Sequence, residues 1–260
     1  MRILRDLASV WAWVALVTGI FVSFIVTTLV FVVTFPFDWR RLAAGRTFRL
    51  CGVALGWLHP YWSFGISGEV CRPRKRKTVF VSNHESQADP FLVSHLPWEM
   101  KWLSKEVIFK VPALGWCMWL VGDVPIKRGQ KDSVGHAMAR MRGWLDRDVP
   151  VMMFPEGTRT ADGSLGNFKD GAFRLAIEAQ ADLFPLALRG TRAALPKHAW
   201  RFGRSRALVR CGRPISTEGR TMADLEALKS EARQQIETLR TELDQELGLE
   251  AAQGALAHQK

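Results

Sequence analysis

Val79-Phe80-Val81-Ser82-Asn83-His84-Glu85-Ser86-Gln87-Ala88-Asp89-Pro90 passes directly from a short apolar run into a polar loop. An apolar run of that length, bounded by loop residues, reads as a strand buried on both faces. The loop carries a histidine five residues ahead of an aspartate. A second run of the same kind, Val151-Met152-Met153-Phe154, leads into Pro155-Glu156-Gly157-Thr158-Arg159, an acidic and a basic residue about a glycine hinge.

Outward from these two runs, strand patterns at 78–82, 101–104, 124–127, 149–154, 184–188 and 207–211 alternate with helical patterns at 90–96, 132–146 and 170–179. This alternation predicts an α/β fold: a mostly parallel sheet covered by helices, with ligands gathering at the carboxyl ends of strands. His84 and Glu156 stand at two such ends. The stretch 221–247 predicts one helix whose apolar stripe (Leu225, Leu228, Ala232, Ile236, Leu239, Leu243) packs back on the domain. It spans too few heptads for a coiled coil.

Residues 7–37 contain no charge and are rich in Val, Phe, Ile, Leu and Trp. That exceeds the roughly twenty residues that cross a bilayer core, and it is much longer than the apolar region of a cleaved signal peptide. Trp11 and Trp13 lie near one end and Trp39 at the other, where interfacial aromatics belong. Arg40, Arg41, Arg46 and Arg49 follow the segment, against Arg2 and Arg5 before it, so the charge bias places the following domain on the cytoplasmic side. A second apolar stretch, 50–66, is broken at His59-Pro60. It reads as an interfacial segment or as the return arm of an N-terminal hydrophobic membrane helix hairpin. The expected organisation is a membrane anchor over 1–70, an α/β domain over 71–220, and an amphipathic helix and tail over 221–260.

The 260-residue chain carries a formal net charge of +11. Basic residues cluster at 72–77, and 189–213 holds Arg189, Arg192, Lys197, Arg201, Arg204, Arg206, Arg210 and Arg213 with no acid among them. Such a surface seeks phosphate in nucleic acid, anionic lipid or a nucleotide-bearing cofactor. The apolar N-terminal segment decides for lipid and against nucleic acid. Four cysteines (Cys51, Cys71, Cys117, Cys211) with no paired spacing give neither a disulfide framework nor a zinc site, and favour a reducing compartment.

The chemistry follows from residue types. A carboxylate that holds one imidazole N–H leaves the other ring nitrogen to take a proton from an alcohol. Asp89 also reads as a helix N-cap ahead of Pro90, and His84 as a hydrogen-bonded core residue, but its polar neighbours Asn83, Glu85, Ser86 and Gln87 favour a site. A helical zinc protease motif would need histidine at 88, where Ala88 stands, so no metal is expected. No nucleophile elbow appears either. The substrate hydroxyl would then attack an activated acyl group directly.

Asn83-His84, four residues and Asp89, followed by Phe154-Pro155-Glu156-Gly157-Thr158-Arg159, resembles the glycerophosphate and lysophosphatidic acid acyltransferase superfamily. Lys105-Glu106-Val107-Ile108-Phe109-Lys110-Val111-Pro112-Ala113-Leu114-Gly115-Trp116 and Gly122-Asp123-Val124-Pro125-Ile126-Lys127-Arg128 resemble its intermediate blocks. Phe184-Pro185-Leu186-Ala187 departs slightly from the usual Val-Pro pair. The likeness covers about residues 75–217.

This resemblance implies that His84 is the general base and Asp89 its partner. It implies that Lys105, Arg128 and the loop Glu156, Gly157, Thr158 and Arg159 hold the acceptor. It also implies a membrane-bound acyltransferase that moves a fatty acyl chain from acyl-CoA or acyl carrier protein to lysophosphatidic acid, with no further cofactor. Another lyso-lipid acceptor, such as a lysophospholipid or a lyso-ornithine lipid, is the alternative within the class. Outside it stands a membrane-tethered basic binding protein, which would have no reason to set His, Asp, Glu and Arg at strand ends in this order. Glu156 also reads as tying down its own loop through backbone amides, and the stretch 107–121 as an acyl-chain groove or a buried helix. Oligomeric state has no readable signal.

Overall fold

The computed structural model describes residues 2–70, 77–160, 163–196 and 199–249, with side chains from residue 6 onward. The basic residues expected at 72–76, Lys197 and the tail beyond 249 lie outside the described residues. In chain order the elements are α1 (Arg2–Thr34), α2 (Leu42–Leu58), β1 (Trp62–Ser67), β2 (Thr78–Ser82), α3 (Asp89–Val93), β3 (Lys101–Lys105), α4 (Leu114–Val121), β4 (Val124–Ile126), α5 (Lys131–Leu145), β5 (Val151–Met153), α6 (Gly171–Ala179), β6 (Asp182–Arg189), β7 (Ser205–Cys211) and α7 (Leu225–Leu247).

The strands form one sheet in the order β1-β7-β6-β2-β5-β3-β4. β6, β2, β5, β3 and β4 all run parallel, β7 is antiparallel to β6, and β1 is parallel to β7. The carboxyl ends of five adjacent strands therefore open on one edge. β2 lies at the centre, and all five of its residues are buried, as a strand covered on both sides requires. The two-residue period separates its faces. Val79 and Val81 join Val151, Met153 and Leu183 under α5, α6 and α7. Phe80 joins Met152, Phe184 and Leu186 against Leu92, Val93 and Leu96. The mostly parallel sheet flanked by helices is the expected α/β arrangement.

Several expectations are corrected. The stretch 50–66 divides into the second half of α2 and the strand β1, because Trp62–Ser67 finds a parallel partner in β7. Asp89 does not cap α3. It is the helix's first residue, Ala88 precedes it as the N-cap, and the Asp89 carboxylate turns back toward the loop. The stretch 107–121 is a 3-10 turn (Glu106–Lys110) followed by α4, with Trp116 and Trp119 about half exposed. The stripe of α7 does pack on the domain: Leu228, Ala232 and Ile236 are fully buried in the core.

α1 and α2 pack against one another. α1 contains the one described helix long and apolar enough to cross a membrane, Asp6–Thr34. It lies along the domain. Arg201 pairs with Asp6, Trp13 Nε1 donates to Trp200 O at 2.8 Å, and Phe24 meets Trp116 edge-on at 5.2 Å.

The arginines that follow α1 are engaged by the domain. Arg41 donates to the carbonyls of Trp119 and Leu120, and Arg46 to those of Ser94 and Leu96. Arg49 enters a buried ion cluster. Its Nη2 lies 2.5 Å from Asp123 Oδ1, which also accepts from Trp102 N at 2.9 Å. Its Nε faces Glu99 at 3.7 Å, and Glu99 pairs with Lys101 at 3.2 Å. Asp123 and Lys101 are fully buried, Arg49 and Glu99 nearly so. Burial opposes the Arg49 charge, but Asp123 and Glu99 outweigh it and raise its pKa. Burial pushes the Glu99 carboxyl up and the Lys101 amine down. The cluster fastens α2 to the strands β3 and β4.

Candidate active site

β2 is prolonged by a side chain. Asn83 is 2% exposed; its Nδ2 donates to Leu188 O at 2.9 Å and its Oδ1 accepts from Leu188 N at 2.8 Å. The amide thus continues the β2–β6 ladder past its last backbone pair, satisfying two buried backbone groups. This fixes where the next residue, His84, leaves the sheet.

His84 Nδ1 lies 2.7 Å from Asp89 Oδ2, and its ring stacks on Phe154 at 4.4 Å and 25°. The same Asp89 oxygen accepts from Glu85 N at 2.7 Å and Ser86 N at 3.1 Å, while its other oxygen accepts from the Thr191 hydroxyl. Four donors from two loops therefore hold a carboxylate that is fully buried. The His84 side chain keeps 21% of its surface exposed. With Nδ1 engaged by Asp89, Nε2 is the nitrogen free to accept a proton.

The loop after β5 is joined to this pair. Glu156 is 5% exposed; Oε1 accepts from His84 N at 2.8 Å and Oε2 from Gly166 N at 2.8 Å. Gly166 can come this close because it lacks a Cβ, which would sit 2.8 Å from Oε2. Both oxygens of Glu156 thus hold backbone amides, one of them its own loop's, and tie the two strand ends together. Gly157 takes φ +70°, a left-handed turn that glycine makes without strain.

Glu85 points away from His84 to Arg189 at 2.6 Å, and Arg189 reaches Asp244 of α7. Burial pushes the Glu85 carboxyl up to about 7 against the pull of Arg189, and Asp89 adds to the rise.

The remaining predicted residues share the edge. Lys105 ends β3, Arg128 follows β4 by two residues, and Thr158 and Arg159 follow β5. Lys105, Arg128 and Thr158 are exposed and Arg159 is half-buried. Direct contacts join His84, Asp89 and Glu156. Among the described residues, no hydrogen bond or ion pair links Arg128 or Arg159 to that group, and neither cation is paired with an acid. Thr191 was not legible as a site residue, since it meets Asp89 across 102 positions of sequence. Asn83 stood in the motif itself, but its pairing with Leu188 was not readable.

A family model described as Acyltransferase matches residues 64–189. The chain is 36% identical over 140 residues to a chloroplastic 1-acyl-sn-glycerol-3-phosphate acyltransferase of Arabidopsis thaliana, covering 54% of this chain and 39% of that protein. It is 33% identical over 193 residues to 1-acyl-sn-glycerol-3-phosphate acyltransferase alpha of Mus musculus, covering 72% of this chain and 68% of that protein. The chain thus spans about two fifths of the length of the plastid relatives and about two thirds of the mammalian one. The crystal structure of the 1-acyl-sn-glycerophosphate acyltransferase of Thermotoga maritima has the same fold, with a TM-score of 0.72 at 20% identity, covering 92% of this chain and 97% of that one.

Proposed function

We propose that this chain, which belongs to the 1-acyl-sn-glycerol-3-phosphate acyltransferase family, moves a fatty acyl chain from a thioester to the free hydroxyl of lysophosphatidic acid, giving phosphatidic acid. The observation that carries this reading is the His84–Asp89 pair, its carboxylate oriented by three further donors, on the edge that also presents Lys105, Arg128 and Arg159.

His84 Nε2 takes the hydroxyl proton as the acceptor oxygen attacks the thioester carbonyl. The tetrahedral intermediate then collapses, the carbon–sulfur bond breaks, and the thiolate leaves with the proton from the imidazolium. Asp89 holds the ring in the useful tautomer. Glu156 fixes the His84 backbone and the loop of Arg159, so it acts here as a positioning residue and not as a ligand of the acceptor. Lys105, Arg128 and Arg159 meet the acceptor's phosphate; a planar guanidinium suits it because it donates to two oxygens at once. The donor is acyl-CoA or acyl carrier protein, both of which present the same thioester.

Arg159→Ala tests the acceptor site. Loss of one charge-assisted contact is expected to raise the KM for lysophosphatidic acid about tenfold or more, with the donor KM within twofold. Equal rises for both substrates would remove Arg159 from the acceptor's site.

The acceptor lives in a leaflet, and the anchor fits that address. α1 is held to the domain at Asp6, Trp13 and Phe24, so it lies along the domain, while Val10, Val14, Val17, Phe21 and Val22 face outward. This supports a chain seated in one leaflet over a spanning anchor. With Arg41, Arg46 and Arg49 engaged by the domain, the charge bias after α1 is weaker support for orientation than the sequence suggested. The domain faces the cytoplasm on that reduced bias. Val14→Glu with Phe21→Glu alters only the outward face. It is expected to cut turnover of liposome-embedded acceptor at least about tenfold, since about 2.5 kcal/mol or more of interfacial burial is lost. A soluble short-chain acceptor should be turned over as before. Undiminished activity on liposomes would contradict this seating.

A further inference from the structure

The segment 163–170, which follows the Arg159 loop, is clamped by α7. Arg233 Nη1 donates to Gly166 O at 2.6 Å and its Nη2 to Leu165 O at 3.0 Å, and its guanidinium lies over the Phe168 ring. Arg240 Nη2 donates to Gly163 O at 2.6 Å, and Lys229 Nζ holds Asp170 at 2.9 Å. Residues 229, 233 and 240 are spaced by four and seven, so they form one basic stripe beside the apolar stripe of α7. From the other side, Glu156 holds Gly166 N and Pro155 O accepts from Lys169 N at 2.9 Å. The backbone of this segment is fixed on both faces.

Lys169 presents its ammonium from that fixed segment. The side chain is exposed, and among the described residues its ammonium makes no hydrogen bond or ion pair. Its stem lies on Gly157: a Cβ there would sit 3.1 Å from Lys169 Cε and 3.3 Å from Nζ. The charge therefore rests one residue from Glu156, which holds the His84 amide, and two from Arg159. An exposed lysine is usually only solvated. This one differs because its backbone is pinned and its stem is seated against a glycine of the site. A phosphate monoester carries about −1.5 to −2 at neutral pH and calls for more than one cation.

We propose that Lys169 is a further ligand of the acceptor's phosphate, held at the catalytic edge by the basic stripe of α7. The inference rests on the acceptor reading above. Lys169→Gln is expected to raise the KM for lysophosphatidic acid about tenfold, with kcat and the thioester KM within about threefold. Lys169→Arg should restore most of the loss. With monoacylglycerol, which lacks the phosphate, wild type and Lys169→Gln should behave alike.

A second arm uses the unaltered protein. Acetylation of Lys169 by an amine-reactive ester, read by peptide mass, should be slowed by lysophosphatidic acid and not by monoacylglycerol. An unchanged KM in Lys169→Gln, equal rises for both substrates, or unprotected labelling in a wild type that acylates lysophosphatidic acid overturns this inference alone. A wild type that forms no phosphatidic acid overturns the acceptor reading itself.

Discussion

His84→Ala loses turnover by about 10²–10⁴-fold, the usual worth of a positioned general base, and leaves the fold intact. The second half of that expectation comes from the contacts of its partner. When the imidazole is removed, Asp89 keeps the amides of Glu85 and Ser86 and the Thr191 hydroxyl. No buried acceptor is stranded, so the large penalty for an unsatisfied polar group does not arise. The ring itself is only stacked on Phe154 at a partly open position. The thermal midpoint should move by less than about 4 °C. Asp89→Asn should lose less activity than His84→Ala, because it disturbs the tautomer without removing the base. Initial rates and melting curves on the same preparations check both statements, and a His84→Ala protein with near-normal turnover would refute the mechanism.

Asp123→Ala has the opposite profile: a large loss of stability from a residue outside the hydrogen bonds of the His84–Asp89 pair. The substitution removes the charged acceptor of Arg49, leaving its Nη2 only the Met100 carbonyl at 3.4 Å, together with the acceptor of Trp102 N. Glu99 is then left to balance two buried cations, Arg49 and Lys101. Breaking a buried pair by deleting one partner costs about 3–5 kcal/mol. Replacing both members, Arg49→Met with Asp123→Leu, removes the stranded charge and should recover much of that loss. Denaturant midpoints for the single and double variants decide the matter. A single variant within about 1 kcal/mol of wild type would mean that the ion pair is not what fastens α2 to the sheet.

What could be read from the sequence was local. His84 and Asp89 lie five residues apart and meet directly, and the core strands announced themselves because both faces of β2 and β5 are buried. The stripe of α7 was equally plain. β1 was hidden because it is only half-buried, so it lacks a strong pattern, and it follows a helix of similar composition. The basic flank after α1 carries less weight than its charge count for another reason. Sequence counts charges, but Arg41, Arg46 and Arg49 are bound within the domain by partners 48 to 79 positions away. Thr191 on Asp89 and Glu156 on the His84 amide are likewise long-range meetings that only the sheet order brings about. The amide-tying read for Glu156 within its own loop extends to the His84 loop for the same reason, because the two amides that occupy it come from two different loops.

The most direct measurement of the central claim is the product itself. Purified protein in detergent is given equal amounts of lysophosphatidic acid, lysophosphatidylcholine and monoacylglycerol with an acyl thioester, and the lipids are read by mass alongside released thiol. The expected result is phosphatidic acid as the main lipid product, formed in step with the thiol. Thiol release without phosphatidic acid, or equal acylation of all three acceptors, would contradict the account.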